Sequence, residues 1–136
     1  MTDAFFAVQE AVFDALVASS AIQSLLGSPP RIYDHVPPGA VFPYMVFGAV
    51  TSAPYDTKTE IGFEQGITLN IWSRYRGSKE AKDILQATYE TLHRAALSVT
   101  GHVFLSCEFH GADCALTDDG LTTHASVRFS VVTQAT

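Results

Sequence analysis

Residues 63–92, FEQGITLNIWSRYRGSKEAKDILQATYETL, change from the periodicity of a strand to that of a helix with only a short break between. In the first half Phe63, Gln65, Ile67, Leu69, Ile71, Ser73 and Tyr75 alternate with Glu64, Gly66, Thr68, Asn70, Trp72 and Arg74. Successive strand side chains point to opposite faces, so this alternation predicts a strand with one face on a core and the other on solvent or a partner. Arg76-Gly77-Ser78 breaks the strand, and Ser78 is expected to cap a helix by accepting a backbone N–H bond. Ala81, Ile84, Leu85, Thr88, Leu92 and Ala95 then follow at helical spacing. Each element has one apolar face and must bury it. Trp72 does not fit this division, because it falls on the polar side.

Working outward, residues 3–17 repeat Phe5, Val8, Val12, Ala15 and Leu16 at helical intervals, with a second stripe at Phe6, Phe13 and Val17. Asp3 is placed to cap this helix. Its two apolar stripes predict contact both with its own sheet and with a neighbouring subunit. Ser19-Ser20 interrupts the pattern, and residues 21–26 form a short further segment ending at Gly27, which can adopt the left-handed conformation that closes a helix. A brief strand is expected at Arg31-Ile32-Tyr33, then a strand over 44–51 whose pairing starts after Pro43. The connection 52–62 carries Pro54, Asp56, Lys58 and Glu60 and exceeds a tight hairpin, as binding loops often do.

Beyond the second long helix, Val103, Leu105, Cys107 and Phe109 alternate with Phe104, Ser106, Glu108 and His110. The last strand places Leu121, Thr123, Ala125, Val127, Phe129 and Val131 opposite Thr122, His124, Ser126, Arg128 and Ser130. Asp118-Asp119-Gly120 between them has the turn chemistry of a hairpin. No strand–helix–strand repeat runs through the chain. The expected fold is therefore α+β: an antiparallel or mixed sheet of about four to five strands with two helices packed on one face.

The 136 residues suit a single domain, and 47% hydrophobic against 16% charged content supplies a core without metal or disulfide. A net charge of −6 argues against gripping a phosphate backbone. Cys107 and Cys114 are too far apart along one extended strand to bridge, and read as free thiols in a reducing compartment such as a cytoplasm. No stretch reaches the roughly 18–20 continuous apolar residues of a membrane span, and the opening residues do not read as a signal peptide.

Chemistry has little to start from. His35, His93, His102, His110 and His124 show no metal-ligand spacing, and His102 and His110 would stand roughly 26 Å apart on a strand. Asp118-Asp119 reads more simply as a turn than as an acid–base pair. There is no nucleophile elbow, phosphate loop or dinucleotide fingerprint. No catalytic, cofactor-binding or metal residue is assigned. Two readings of Trp72 stand side by side: partial burial under a loop or the first helix, or an interface anchor of the kind Trp and Arg commonly form. Phe104 shares that ambiguity.

The segments RIYDHVPPGAVFPYMVFG (31–48), NIWSRYRGSKEAKDI (70–84) and DDGLTTHASVRFSV (118–131), after an apolar opening helix, together resemble the tail terminator, or tail completion, family of long-tailed phages, prophages and gene transfer agents. The resemblance implies a non-enzymatic virion protein of the tail neck, assembled in a bacterial cytoplasm. It implies a hexameric ring that caps the head-proximal end of the tail tube, stops polymerisation and meets the head-completion protein, with DNA passing through unbound. Candidate contact residues are Phe6, Phe13, Asp56, Lys58, Glu60, Trp72, Arg74 and Arg76. The alternatives are a stopper or joining protein of the same neck, and a small enzyme or ligand-binding domain with histidines converging in a pocket.

Overall fold

The structure is a computed structural model and describes residues 5–135. In chain order the elements are α1 (Phe5–Ala18), α2 (Ser20–Leu26), β1 (Ile32–Tyr33), β2 (Tyr44–Pro54), β3 (Gly62–Ser73), α3 (Lys79–Leu92), β4 (His102–Leu116) and β5 (Thr123–Ala135). The strands form one five-stranded sheet in the order β1-β2-β3-β5-β4. β1 pairs parallel with β2 and every other pairing is antiparallel, so the sheet is mixed. β3 is its middle strand, and the alternation expected there holds: Gln65, Ile67, Leu69, Ile71 and Ser73 are buried, while Glu64 to Trp72 on the other side are half-buried.

The core lies between one face of this sheet and the helices. Met45, Phe47, Ile67, Leu69, Ile71, Cys107, Ala125, Val127, Phe129 and Val131 from the strands join Val8, Val12 and Leu16 of α1, Ile22 and Leu26 of α2, and Ala81, Ile84 and Leu92 of α3. The expected α+β arrangement is present, with three helices rather than two because the segment after Ser19 is a helix in its own right. Ser19 caps it, its hydroxyl accepting from the Ile22 N–H at 3.3 Å. Gly27 closes it at φ +99°, a region closed to most side chains, although its ψ of 171° is extended rather than left-handed helical. The expected Asp3 cap of α1 lies outside the described residues.

Other details differ from expectation for identifiable reasons. Ser78 stands at the N-cap of α3 but makes no side-chain capping bond. Ser73 does the fastening instead, its hydroxyl donating to the Glu80 carboxylate at 2.6 Å and accepting from the Tyr75 N–H at 3.2 Å. Because β3 ends at Ser73, Tyr75 leaves the core face and is exposed, as is Leu121 before β5 begins. In β4 register shifts between Phe104 and Ser106 and between Phe109 and Gly111 break the period of two. Phe104 consequently packs against the core while Val103 and Leu105 are exposed, and Cys107 and Phe109 return to the core side beyond the shift. Finally, Ser52, Ala53 and Pro54 pair with Gln65, Glu64 and Phe63, which shortens the expected connection to residues 55–61 at the tip of a long hairpin.

Candidate assembly interface

All the described helices pack on one side of the sheet, so the side carrying Trp72 is without a helical cover. Trp72 lies directly across from His124 in the β3–β5 register, and the rings stack with centroids 4.2 Å apart and planes 14° from parallel. The His124 Nε2 is 2.8 Å from the Asn70 side-chain oxygen. Gly48 makes room for this group on β2, since a Cβ there would come within 2.5 Å of the Asn70 amide nitrogen. Further along the same face Ser130 donates to Glu64 at 2.9 Å and Ser126 donates to Asp113 at 3.1 Å. Trp72 is thus half-buried, stacked on a neighbour of its own sheet, on the side away from α1.

At the end of the sheet where β3 stops, Arg74 donates from Nε to Thr122 Oγ1 at 3.1 Å and sets its guanidinium 4.4 Å from the centre of the Phe42 ring. Arg76 is exposed beside Tyr75, Leu116 and Leu121, the last two on either side of the β4–β5 turn. That turn is held by Asp119, whose carboxylate accepts from the backbone N–H groups of Leu121 and Thr122 and from the hydroxyls of Thr117 and Thr122. These four donors favour the ionised form and hold its pKa well below the usual carboxylate range. Asp118-Asp119 therefore forms a turn, as its sequence indicated.

At the other end, the tip of the β2–β3 hairpin presents Asp56, Lys58 and Glu60 to solvent between exposed Tyr55 and Ile61. The tip is ordered by local bonds. The Thr57 N–H donates to the Glu60 carbonyl at 2.9 Å, and the Gly62 N–H donates to the Asp56 carboxylate at 3.1 Å.

Two grooves flank the helix layer. On the α1 side, Phe6 and Phe13 line a groove of about 360 Å³ with Gln9, Glu10, Asp14, Asp34 and Phe47. Phe6 is 67% exposed, so α1 turns this aromatic side chain to water rather than to its own sheet. On the α3 side, Lys82, Leu85, Gln86 and Tyr89 face Phe109 and Ala112 of β4 across a groove of about 430 Å³.

Among the described residues the histidines do not converge on one site. His93 accepts from the Phe109 N–H at 3.1 Å at the end of α3 and stacks on Tyr89. His102 sits at the start of β4, His35 and His110 are exposed, and His124 belongs to the Trp72 stack. Among the described residues no three His, Cys, Asp or Glu side chains are grouped to hold a metal ion. Cys107 is buried and desolvation pushes its thiol pKa up to about 12, the opposite of an activated nucleophile. No single helix among the described residues is long and apolar enough to cross a membrane.

Comparison with known proteins shows the family. Residues 10–134 match the family described as Tail completion protein gp17. The chain belongs to the tail completion protein gp17 family. The tail completion protein gp17 of Bacillus phage SPP1 is 29% identical over 92 residues, which span 66% of this chain and 68% of that protein. The fold is shared with a chain in the virion of a native gene transfer agent particle, at a TM-score of 0.89 and 22% identity, covering 99% of this chain and 100% of that one. It is shared also with the structure of SPP1 gp17, at a TM-score of 0.63 and 22% identity over 93% of this chain and 88% of the other.

As a tail completion protein the chain is a structural component of a phage-type tail. Its sequence-derived contact residues fall into separate regions. Trp72 belongs to the bare sheet face, Arg74 and Arg76 to one end of the sheet, Asp56, Lys58 and Glu60 to the other, and Phe6 and Phe13 to the helix flank. The α3–β4 groove had no sequence signal. Leu85 and Phe109 read as core residues, and both line this groove half-buried.

Proposed function

We propose that this chain, acting as one domain, closes into a hexameric ring at the head-proximal end of a phage-type tail tube. The ring stops tube polymerisation and presents a surface to the head-completion protein. The observation that carries this reading is the family match over residues 10–134, nearly the whole chain. The exposed Phe6 and Phe13 and the helix-free sheet face support it, because a ring of identical subunits needs two different patches on each copy. The acidic balance, −6 overall, suits a ring through which DNA passes without being held. No enzymatic step is assigned.

The test is to add purified protein to polymerising tail-tube subunits and measure tube length and end structure by electron microscopy. Tubes of limited length with a ring at one end are expected. Unlimited growth with no bound protein at either end would refute the proposal.

A further inference from the structure

We propose that the two flanking grooves are the two halves of one contact between neighbouring copies: the Phe6 and Phe13 stripe of α1 seats in the α3–β4 groove of the next subunit. This rests on the ring reading above and names the surfaces that make it. The sheet order β1-β2-β3-β5-β4 puts the grooves on opposite flanks. The first joins α1 to Phe47 of β2 and to Asp34 just after β1, while the second joins α3 to the edge strand β4. A head-to-tail contact that repeats around a closed ring uses two such dissimilar, oppositely placed patches.

The patches also match in chemistry. Phe6 and Phe13 are exposed aromatic knobs, and the facing groove is lined by Leu85, Tyr89, Phe109 and Ala112. Glu10, Asp14 and Asp34 surround the knobs, whereas Lys82 is the single charge lining the groove. Three carboxylates on one side and a lysine on the other set the register of two apolar surfaces and disfavour like-with-like pairing. The arginine-bearing end of the sheet fits less well as the counterpart. Arg74 is already engaged by Thr122 and Phe42, and that surface faces along the strands rather than sideways.

Cross-linking tests the pairing without removing the anchors. In a Cys114→Ser background, with buried Cys107 left in place, Gln9→Cys and Gln86→Cys are combined and the assembled protein is treated with a short bismaleimide. A ladder of covalent oligomers is expected from the double variant and none from either single one. Rings visible by electron microscopy with no Gln9-to-Gln86 link, or linked instead through Gln9→Cys with Leu121→Cys, would overturn the pairing while leaving the ring intact. Absence of rings under every assembly condition would overturn the ring reading, and the pairing with it. As a second measurement, Lys82→Glu should weaken assembly about tenfold, and Glu10→Lys added to it should restore part of the loss. An unchanged association constant for Lys82→Glu would also count against the pairing.

Discussion

Trp72 and His124 lie face to face across the β3–β5 pair, 4.2 Å between ring centres, with Asn70 holding the imidazole from the neighbouring position. The stack fixes the orientation of the indole on a face that no helix covers. Trp72 is therefore rigid before any partner arrives, which lowers the entropic cost of using it as an anchor. We predict that Trp72→Ala costs folding only about 1–2 kcal/mol, the worth of a half-buried aromatic pair. Assembly should weaken tenfold or more, because a rigid aromatic contributes most where it becomes fully desolvated. Thermal melts and sedimentation equilibrium on the same samples separate the two effects. Loss of fold in step with loss of assembly would make Trp72 a packing residue only.

How far the sequence could be read depended on whether local pattern and tertiary context agreed. β3 and β5 were legible because their alternation runs unbroken through Ile67, Leu69 and Ile71 and through Ala125, Val127 and Phe129, all buried on one face. β4 was not, since an added residue in a strand reverses the facing of everything beyond it and leaves no composition mark. Gly111, at φ +146° beside the second shift, is the one local sign. The strand-to-helix corner was misjudged similarly. Ser78 had the right residue type in the right place, yet Ser73 and Glu80 formed the bond once the chain had folded back. Of the surfaces proposed for assembly, the exposed stripe of α1 could be foreseen from its double periodicity, but the groove of α3 and β4 needs the two elements packed together, which neither segment's own pattern states.

The legible strands also say where the fold is least tolerant. Phe129 is 1% exposed at the centre of β5 and meets Phe109 edge-on, with centroids 5.9 Å apart. Phe129→Ala should destabilise the protein by about 3–5 kcal/mol through lost burial and the cavity left between sheet and α3. Urea unfolding followed by circular dichroism measures this directly. A loss under about 1 kcal/mol would mean that the surrounding core collapses to fill the space.

Asp119 gives the β4–β5 turn a pH dependence whose sign follows from its bonds. Its folded pKa lies below the unfolded value, so the unfolded state takes up the proton first as pH falls. The stabilisation is complete above about pH 4, the unfolded carboxylate range, and is lost progressively as pH drops toward the folded pKa. Asp119→Ala should lower stability at pH 7 and flatten the acid limb of the stability curve below about pH 4. Urea midpoints measured at pH 7 and at pH 3 for both proteins check it. A parallel acid limb in the variant would assign that pH dependence to other carboxylates.

The hairpin tip is the surface where folding and assembly should separate most cleanly. Lys58 and Glu60 are exposed, and the bonds that shape the tip use the Asp56 carboxylate, the Thr57 hydroxyl and backbone groups rather than either of their side chains. Replacing both by serine, Lys58→Ser with Glu60→Ser, should thus change stability by no more than about 0.5 kcal/mol. If the tip reaches a neighbouring protein of the tail, the same variant should cap tubes less well while its own oligomerisation is unchanged. Tube length in the polymerisation assay, read beside sedimentation of the free protein, distinguishes the cases. Unaltered capping would assign Lys58 and Glu60 to solvent, and a fall in ring assembly alone would place the tip between copies of this chain.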